Sequence, residues 1–315
     1  MRAQRDRLAE ADRELVLDDQ RSRNDICWSV FDCRARPAGP CVSMEGEMPN
    51  DNSLSTGYAP VNDLNVYFEI HGEGEPLVLL HGAYMNIDGM APLLRPLAEH
   101  RQVIALELQG HGRTADADRP ITYEGMADDT AAVMEHLGIE RADVVGYSMG
   151  AGVGLQMAIR HPERVRKLVG ASTAYAYDGM PAEAVEMFPT ITPAMFKGGP
   201  MEAEYKRLAP NPGDFENLVW KLKTLDTTDF DWSEGVRAIT APVLIIVGDS
   251  DVVRLEHVVE LFRMLGGGVM GDLAGLPKSQ LAVLPGTSHF MPPGSGVLDR
   301  AELILAMIRP FLDAE

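Results

Sequence analysis

From Tyr58 onward the chain alternates short apolar runs with longer stretches in which apolar residues recur at helical spacing. Residues 61–70 predict a hairpin that turns at Asn62-Asp63. Residues 76–80 form a continuous apolar run, the pattern of a strand buried on both faces. A helical segment through Leu93, Leu94 and Leu97 leads to a second apolar run at 102–106. Residues 122–137 then place Met126, Ala127, Thr130, Val133, Met134 and Leu137 on one helical face. The alternation continues with a strand at 142–145, a helix at 149–160 and a strand at 165–169. After an interruption come a strand at 242–247, a helix at 255–265, a strand at 281–284 and a closing helix at 298–312. Strands alternating with helices of this length predict an α/β protein, with a mostly parallel sheet and helices on both faces.

Two stretches break the pattern. Residues 173–235 contain no strand signal but carry Met180, Met187, Phe188, Met195, Phe196, Met201, Phe215 and Trp220. A long insertion in an α/β sheet commonly covers the ligand-binding end of the strands, so we expect a small helical lid. Its methionines and aromatics suit either an apolar, adaptable pocket or simple packing against the core. Residues 1–56 differ in texture: the basic residues of the first 45 are all arginine, and no apolar period is sustained. We expect a weakly ordered extension there, with at most a short polar helix at 3–17, and one reading starts translation at Met44 or Met48. The expected organisation is an extension at 1–56, a core at 57–172 and 236–315, and a lid at 173–235.

Composition narrows the function classes. The formal net charge of −19 disfavours nucleic acid and anionic membrane surfaces as partners. No run approaches the ~20 apolar residues that span a bilayer, and the charged N-terminal stretch lacks the apolar core of a secretion signal, so a cytoplasmic location is expected. The three cysteines, Cys27, Cys33 and Cys41, are odd in number and match no zinc spacing, so we expect neither a disulfide framework nor a metal.

The strongest chemical signal is Gly146-Tyr147-Ser148-Met149-Gly150, a G-x-S-x-G sequence between a predicted strand and a predicted helix. A serine on so sharp a turn needs small neighbours, which Gly146 and Gly150 provide. The competing reading is a glycine-rich helix start that binds an anion, but the Lys-Ser/Thr pair of a phosphate loop is missing. A serine nucleophile needs a base. Of the eight histidines, His71, His100, His136 and His161 stand at turns or helix ends, and His257 lies within a predicted helix. His289 alone follows the last strand, in a glycine- and proline-rich loop, and is the base by position. The mechanism accepts either Asp249 or Asp251 as the acid that orients it.

Taken with Gly146–Gly150, the segments His81-Gly82-Ala83, Gly110-His111-Gly112-Arg113-Thr114, Gly248-Asp249-Ser250-Asp251 and Gly286-Thr287-Ser288-His289-Phe290 resemble the α/β-hydrolase superfamily over residues 58–315. The look is that of its small esterase, enol-lactonase and cofactor-free haloperoxidase branch. The resemblance implies an eight-stranded sheet, a Ser148–Asp251–His289 triad, structural roles for His81 and His111, and no cofactor. It selects Asp251 over Asp249 by position after the glycine, and leaves Asp249 to bond backbone within its own loop. It also implies an oxyanion hole made of the backbone N–H groups of Ala83 and Met149. The chain departs from the family in having Glu107-Leu108-Gln109 before the 110–114 loop, where relatives have Asp and Arg.

Ser148 excludes the branches that use an aspartate nucleophile, and the lid sequence shows no obvious acidic pair for a substrate amine. The expected reaction is cleavage of a small carboxylic ester or lactone through an acyl-enzyme. Carbon–carbon bond hydrolysis and cofactor-free perhydrolase or haloperoxidase chemistry would use the same triad. A small-molecule receptor or scaffold on this fold is the alternative from another class.

Overall fold

The computed structural model describes residues 54–314. The possible helix at 3–17, the three cysteines and Met44 and Met48 all lie outside these residues. Among them an eight-stranded sheet has the order β1-β2-β4-β3-β5-β6-β7-β8. β1 (Ser55–Val61) and β2 (Leu64–His71) form the expected hairpin, turning through Asn62 and Asp63, both at positive φ. β1 therefore takes in Ser55 and Thr56, the last two residues assigned to the extension.

β2 pairs antiparallel with β4 (Gln102–Leu106), and every pairing beyond it is parallel. The parallel strands are β3 (Pro76–Leu80), β5 (Ala142–Tyr147), β6 (Val165–Ala171), β7 (Val243–Ser250) and β8 (Gln280–Ser288). Alternation along β3 sends its side chains to opposite faces. Val78 and Leu80 join one core with Met126, Val133, Val153 and Leu155, while Leu77 and Leu79 join a second with Leu93, Leu97, Ile304 and Ile308. The first face is covered by α2 (Tyr123–His136) and α3 (Met149–Arg160), the second by α1 (Ala91–Ala98) and α10 (Ala301–Asp313).

β8 runs four residues past its expected end, through Pro285 and Gly286, both of which read as strand terminators. The closing helix is preceded by a 3-10 turn at Val297–Arg300, which shares its apolar spacing and blurs its start.

Between β6 and β7 the described chain is helical. It holds α4 (Ala182–Met187), α5 (Pro200–Leu208), α6 (Phe215–Thr227) and α7 (Ser233–Ala238), with 3-10 turns between them. α7 crosses the expected lid boundary at 235, and a Cβ on its Gly235 would stand 2.8 Å from Ile159 of α3, so this helix packs on the core. Two further helices, α8 (Leu255–Met264) and α9 (Gly271–Ala274), join β7 to β8.

Candidate active site

β5 ends at Tyr147 and α3 begins at Met149, which leaves Ser148 alone to make the turn, at φ 52° and ψ −118°. That backbone conformation is costly for a residue with a Cβ and persists only where its surroundings enforce it. The Ser148 N–H donates to the Ala171 carbonyl at 2.8 Å, and its own carbonyl accepts from Ala151 and Gly152 at 2.9 and 3.1 Å. A side chain at Gly146 would run into the Gly150 carbonyl, and one at Gly150 into the Leu80 carbonyl. The spacing of the two glycines is thus the condition for bringing β3, β5 and α3 together beneath the serine.

Ser148 Oγ lies 3.0 Å from His289 Nε2, and His289 Nδ1 lies 2.8 Å from Asp251 Oδ1. An ionised carboxylate only accepts, so Nδ1 carries the hydrogen and Nε2 is left to accept from the serine hydroxyl. The Asp251 side chain is fully buried. Its Oδ1 also accepts from Val252 N–H at 2.7 Å, and its Oδ2 from Ser172 Oγ at 2.7 Å and Gly248 N–H at 3.1 Å. Burial raises its pKa, but the His289 bond and charge, with the Ser172 and Gly248 donors, outweigh burial and leave it below the usual range.

Asp249 points elsewhere. It accepts from the backbone of Gly286 at 2.8 Å and Thr287 at 3.1 Å. Those amides belong to β8, not to its own loop as expected. Asp249 therefore ties the strand that carries the acid to the strand that leads to the histidine.

The segment after β3 is held by two neutral histidines. His81 donates from Nδ1 to Gly82 O at 2.8 Å and accepts from Leu108 N–H at 3.1 Å. His111 donates to Gln109 O at 2.9 Å and accepts from Tyr84 N–H at 3.2 Å. Burial drives His81 down to about 3, helped by the nearby His111, and drives His111 down to about 4. The structure therefore fixes Gly82 and Tyr84 on either side of Ala83. A Cβ on Gly82 would stand 3.1 Å from the Tyr147 ring, so this segment lies directly against the elbow. Met149 opens α3, and a first helical N–H has no carbonyl partner within its own helix. The segment that carries Ala83 and the first residue of α3 thus both adjoin the elbow.

Glu107, the departure before the 110–114 loop, is fully buried and takes both the backbone N–H and, at 2.7 Å, the guanidinium of Arg113. Burial still pushes it up to about 7. It fills the space beneath Gly112, where any side chain would strike its carboxyl. The substitution rebuilds the loop's support from a different acid and leaves the triad untouched.

His257 is buried beneath Tyr175, stacked at 3.9 Å, and accepts from Tyr175 N–H at 3.1 Å. His71 and His161 bond Glu69 and Asp128, and His100 and His136 are exposed. Sequence reasoning missed three residues that bear on the site. Ser172, at φ 59°, holds Asp251, and Tyr147 holds the His289 backbone. Tyr84 is the third. Tyr84 stacks on Phe196 at 4.9 Å and buries a hydroxyl with no partner among the described residues. Burial lifts Asp226 of α6 to about 7.

Among the described residues, no helix is long and apolar enough to cross a membrane, and no three acidic, histidine or cysteine side chains gather as a metal site.

Residues 75–213 match the family model described as alpha/beta hydrolase fold. A 2-hydroxymuconate semialdehyde hydrolase from Pseudomonas sp. strain CF600 is 42% identical over 102 residues, covering 31% of this chain and 36% of that one. A poly(3-hydroxyalkanoate) depolymerase from Ectopseudomonas oleovorans is 25% identical, covering 76% of this chain and 85% of that one. The crystal structure of an enol-lactonase from Burkholderia xenovorans LB400 superposes with a TM-score of 0.60 at 22% identity, over 82% of this chain and 100% of that one. The chain spans 42%, 61% and 31% of the lengths of the first curated relatives it matches. The sheet order and the matched stretch show the α/β-hydrolase fold.

Proposed function

We propose that the protein is a serine hydrolase that cleaves a small carboxylic ester or lactone through an acyl-enzyme intermediate. The observation that carries this reading is the hydrogen-bonded line from Ser148 Oγ through His289 to Asp251, at 3.0 and 2.8 Å, with the serine in a strained elbow. His289 Nε2 takes the hydroxyl proton as Ser148 Oγ attacks the carbonyl carbon. Asp251 keeps the proton on Nδ1 and stabilises the imidazolium. The Ala83 and Met149 N–H groups receive the oxyanion, each contribution worth about 3 kcal/mol in comparable sites. His289 then returns its proton to the leaving alkoxide, and the cycle repeats with water in place of serine.

We assign the helical segment at 173–235 the role of a lid, because it joins the ends of two sheet strands near Ser148 and packs Phe196, Phe215 and Val219 against Tyr84, next to Ala83. Hydrolysis of p-nitrophenyl esters from acetate to octanoate, with Ser148→Ala alongside, tests the reading. Turnover lost in the variant supports it, and turnover retained in the variant overturns it. The 42% identical stretch shared with a 2-hydroxymuconate semialdehyde hydrolase favours a second reading, carbon–carbon bond hydrolysis by the same triad. Activity on a dienoic diketo acid without ester turnover would select it.

A further inference from the structure

β8 forms one edge of the sheet, and the segment that leads into it is unlike the rest of the chain. Between Arg263 and Asp299 the only aspartate, glutamate, lysine or arginine residues are Asp272 and Lys278, in a chain that is 24% charged and carries a net −19. Within that stretch Leu273 is 83% exposed and Leu276 90%, and Val269 and Met270 are exposed as well. Among the described residues none of the four joins a core cluster. Leucines left in water to this degree forgo the burial that stabilises a fold, and a contiguous apolar patch on a protein surface marks a docking site.

The backbone holds these side chains outward. Met270 O accepts from the Leu273 and Ala274 N–H groups at 3.0 Å, and Gly271 O accepts from Gly275 N–H at 2.9 Å. Gly275 takes φ 79°, and Leu276 folds back against Gly271, where an added Cβ would meet it at 2.8 Å. Ser279 is buried and its hydroxyl accepts from Val243 N–H at 3.2 Å, which fastens the turn to the start of β7.

The two charges decide what this surface fits. Asp272 and Lys278 are both exposed, and neither makes an ion pair or side-chain hydrogen bond among the described residues. They have opposite signs and stand six positions apart, with both leucines between them. A twofold axis through the turn sets Asp272 of each copy against Lys278 of the other, while the leucines meet across the axis. The patch is thus complementary to itself. It also has no net charge, so two chains of −19 meet there without adding like charges to the contact.

We propose that residues 269–278 are the contact of a homodimer, in which Val269, Met270, Leu273 and Leu276 of two copies pack together beneath two Asp272–Lys278 pairs. The segment precedes β8, at the N-terminal end of the parallel strands, whereas Ser148 follows the C-terminal end of β5. The dimer therefore leaves both elbows open, and the inference is independent of the hydrolase reading.

Sedimentation of the full chain at increasing concentration tests it. A contact of these residues is smaller than the roughly 20–30 residues a side of a standard interface, so the species of twice the chain's mass should dissociate on dilution. Leu273→Ser combined with Leu276→Ser should leave a single chain at every concentration. Asp272→Lys alone, or Lys278→Asp alone, turns two attractive pairs into two repulsive ones and should raise the dissociation constant about tenfold. The swapped variant, Asp272→Lys with Lys278→Asp, restores opposite signs and should return it to the wild-type value. Circular dichroism should be unchanged throughout, because all four side chains are exposed. A wild-type chain that sediments singly at every concentration overturns the proposal. So does a dimer that survives the double serine substitution, or a swapped variant as weak as either single one. A single chain that instead binds neutral phosphatidylcholine vesicles through the leucines overturns it in favour of a lipid surface.

Discussion

The Tyr147 hydroxyl donates to the backbone carbonyl of His289 at 2.9 Å, while its ring lies nearly parallel to the imidazole, 22° and 5.2 Å away. The variable residue of the elbow thus supports His289, the residue proposed to receive the serine proton. Val297 N–H shares the same carbonyl at 3.1 Å, so the loop has a second tether. Tyr147→Phe keeps the stack and removes one bond. Its kcat should fall by about two- to tenfold, the effect of a neutral hydrogen bond, with KM nearly unchanged. Steady-state kinetics on a p-nitrophenyl ester checks the split, since a merely structural loss would lower the active fraction without altering the pH profile.

Asp249 and Asp251 stand two residues apart and do different work. Asp251→Asn should lower kcat on the order of 10⁴-fold, because the amide favours the wrong imidazole tautomer. Asp249→Asn should retain activity and show its effect in thermal melting, since it loses acceptor strength toward Gly286 and Thr287. Ser172→Ala removes one of two bonds to Asp251 Oδ2 and should lower kcat about tenfold.

Stability should fall as pH drops below neutrality. His81 and His111 titrate at about 3 and 4 in the folded chain because burial disfavours their charged forms. The unfolded chain takes up those protons near its ordinary value of about 6.5. Between about 6.5 and 4 the unfolded state therefore binds more protons, and folding weakens as pH falls, by about 1.4 kcal/mol per pH unit for each histidine. Urea midpoints at pH 7 and pH 5 measure this. His111→Asn should shift less between the two.

Asp226 acts in the opposite sense. Its folded value of about 7 lies above that of an unfolded aspartate, so the folded state holds the extra proton. Its contribution to stability is full below about pH 4 and declines as pH rises toward 7. The melting temperature of Asp226→Asn should gain on the wild type between pH 5 and pH 8. A constant gap would contradict the burial assigned to this carboxyl.

Much of the site was legible because chemistry restricts the residues that can build it. Two glycines around a serine, a histidine after the last strand and an acid after the preceding one are readable from the sequence, and the structure brings Ser148, His289 and Asp251 within hydrogen-bonding distance. Core strands 76–80 and 102–106 appear with the expected bounds, since strands buried on both faces read as unbroken apolar runs. β8 was underread because Pro285 and Gly286 interrupt it, and β1 because the polar start of an edge strand resembles loop. Ser172 and Tyr147 carry no pattern of their own. They act through contacts to residues 79 and 142 positions away, which only the tertiary structure supplies.

Labelling of the full chain with a fluorophosphonate, followed by peptide mass spectrometry, tests the central claim most directly. The account requires a single phosphonylated residue, Ser148, with labelling abolished in Ser148→Ala and strongly slowed in His289→Ala. A protein that remains folded and unlabelled, or one labelled at another serine, would contradict it.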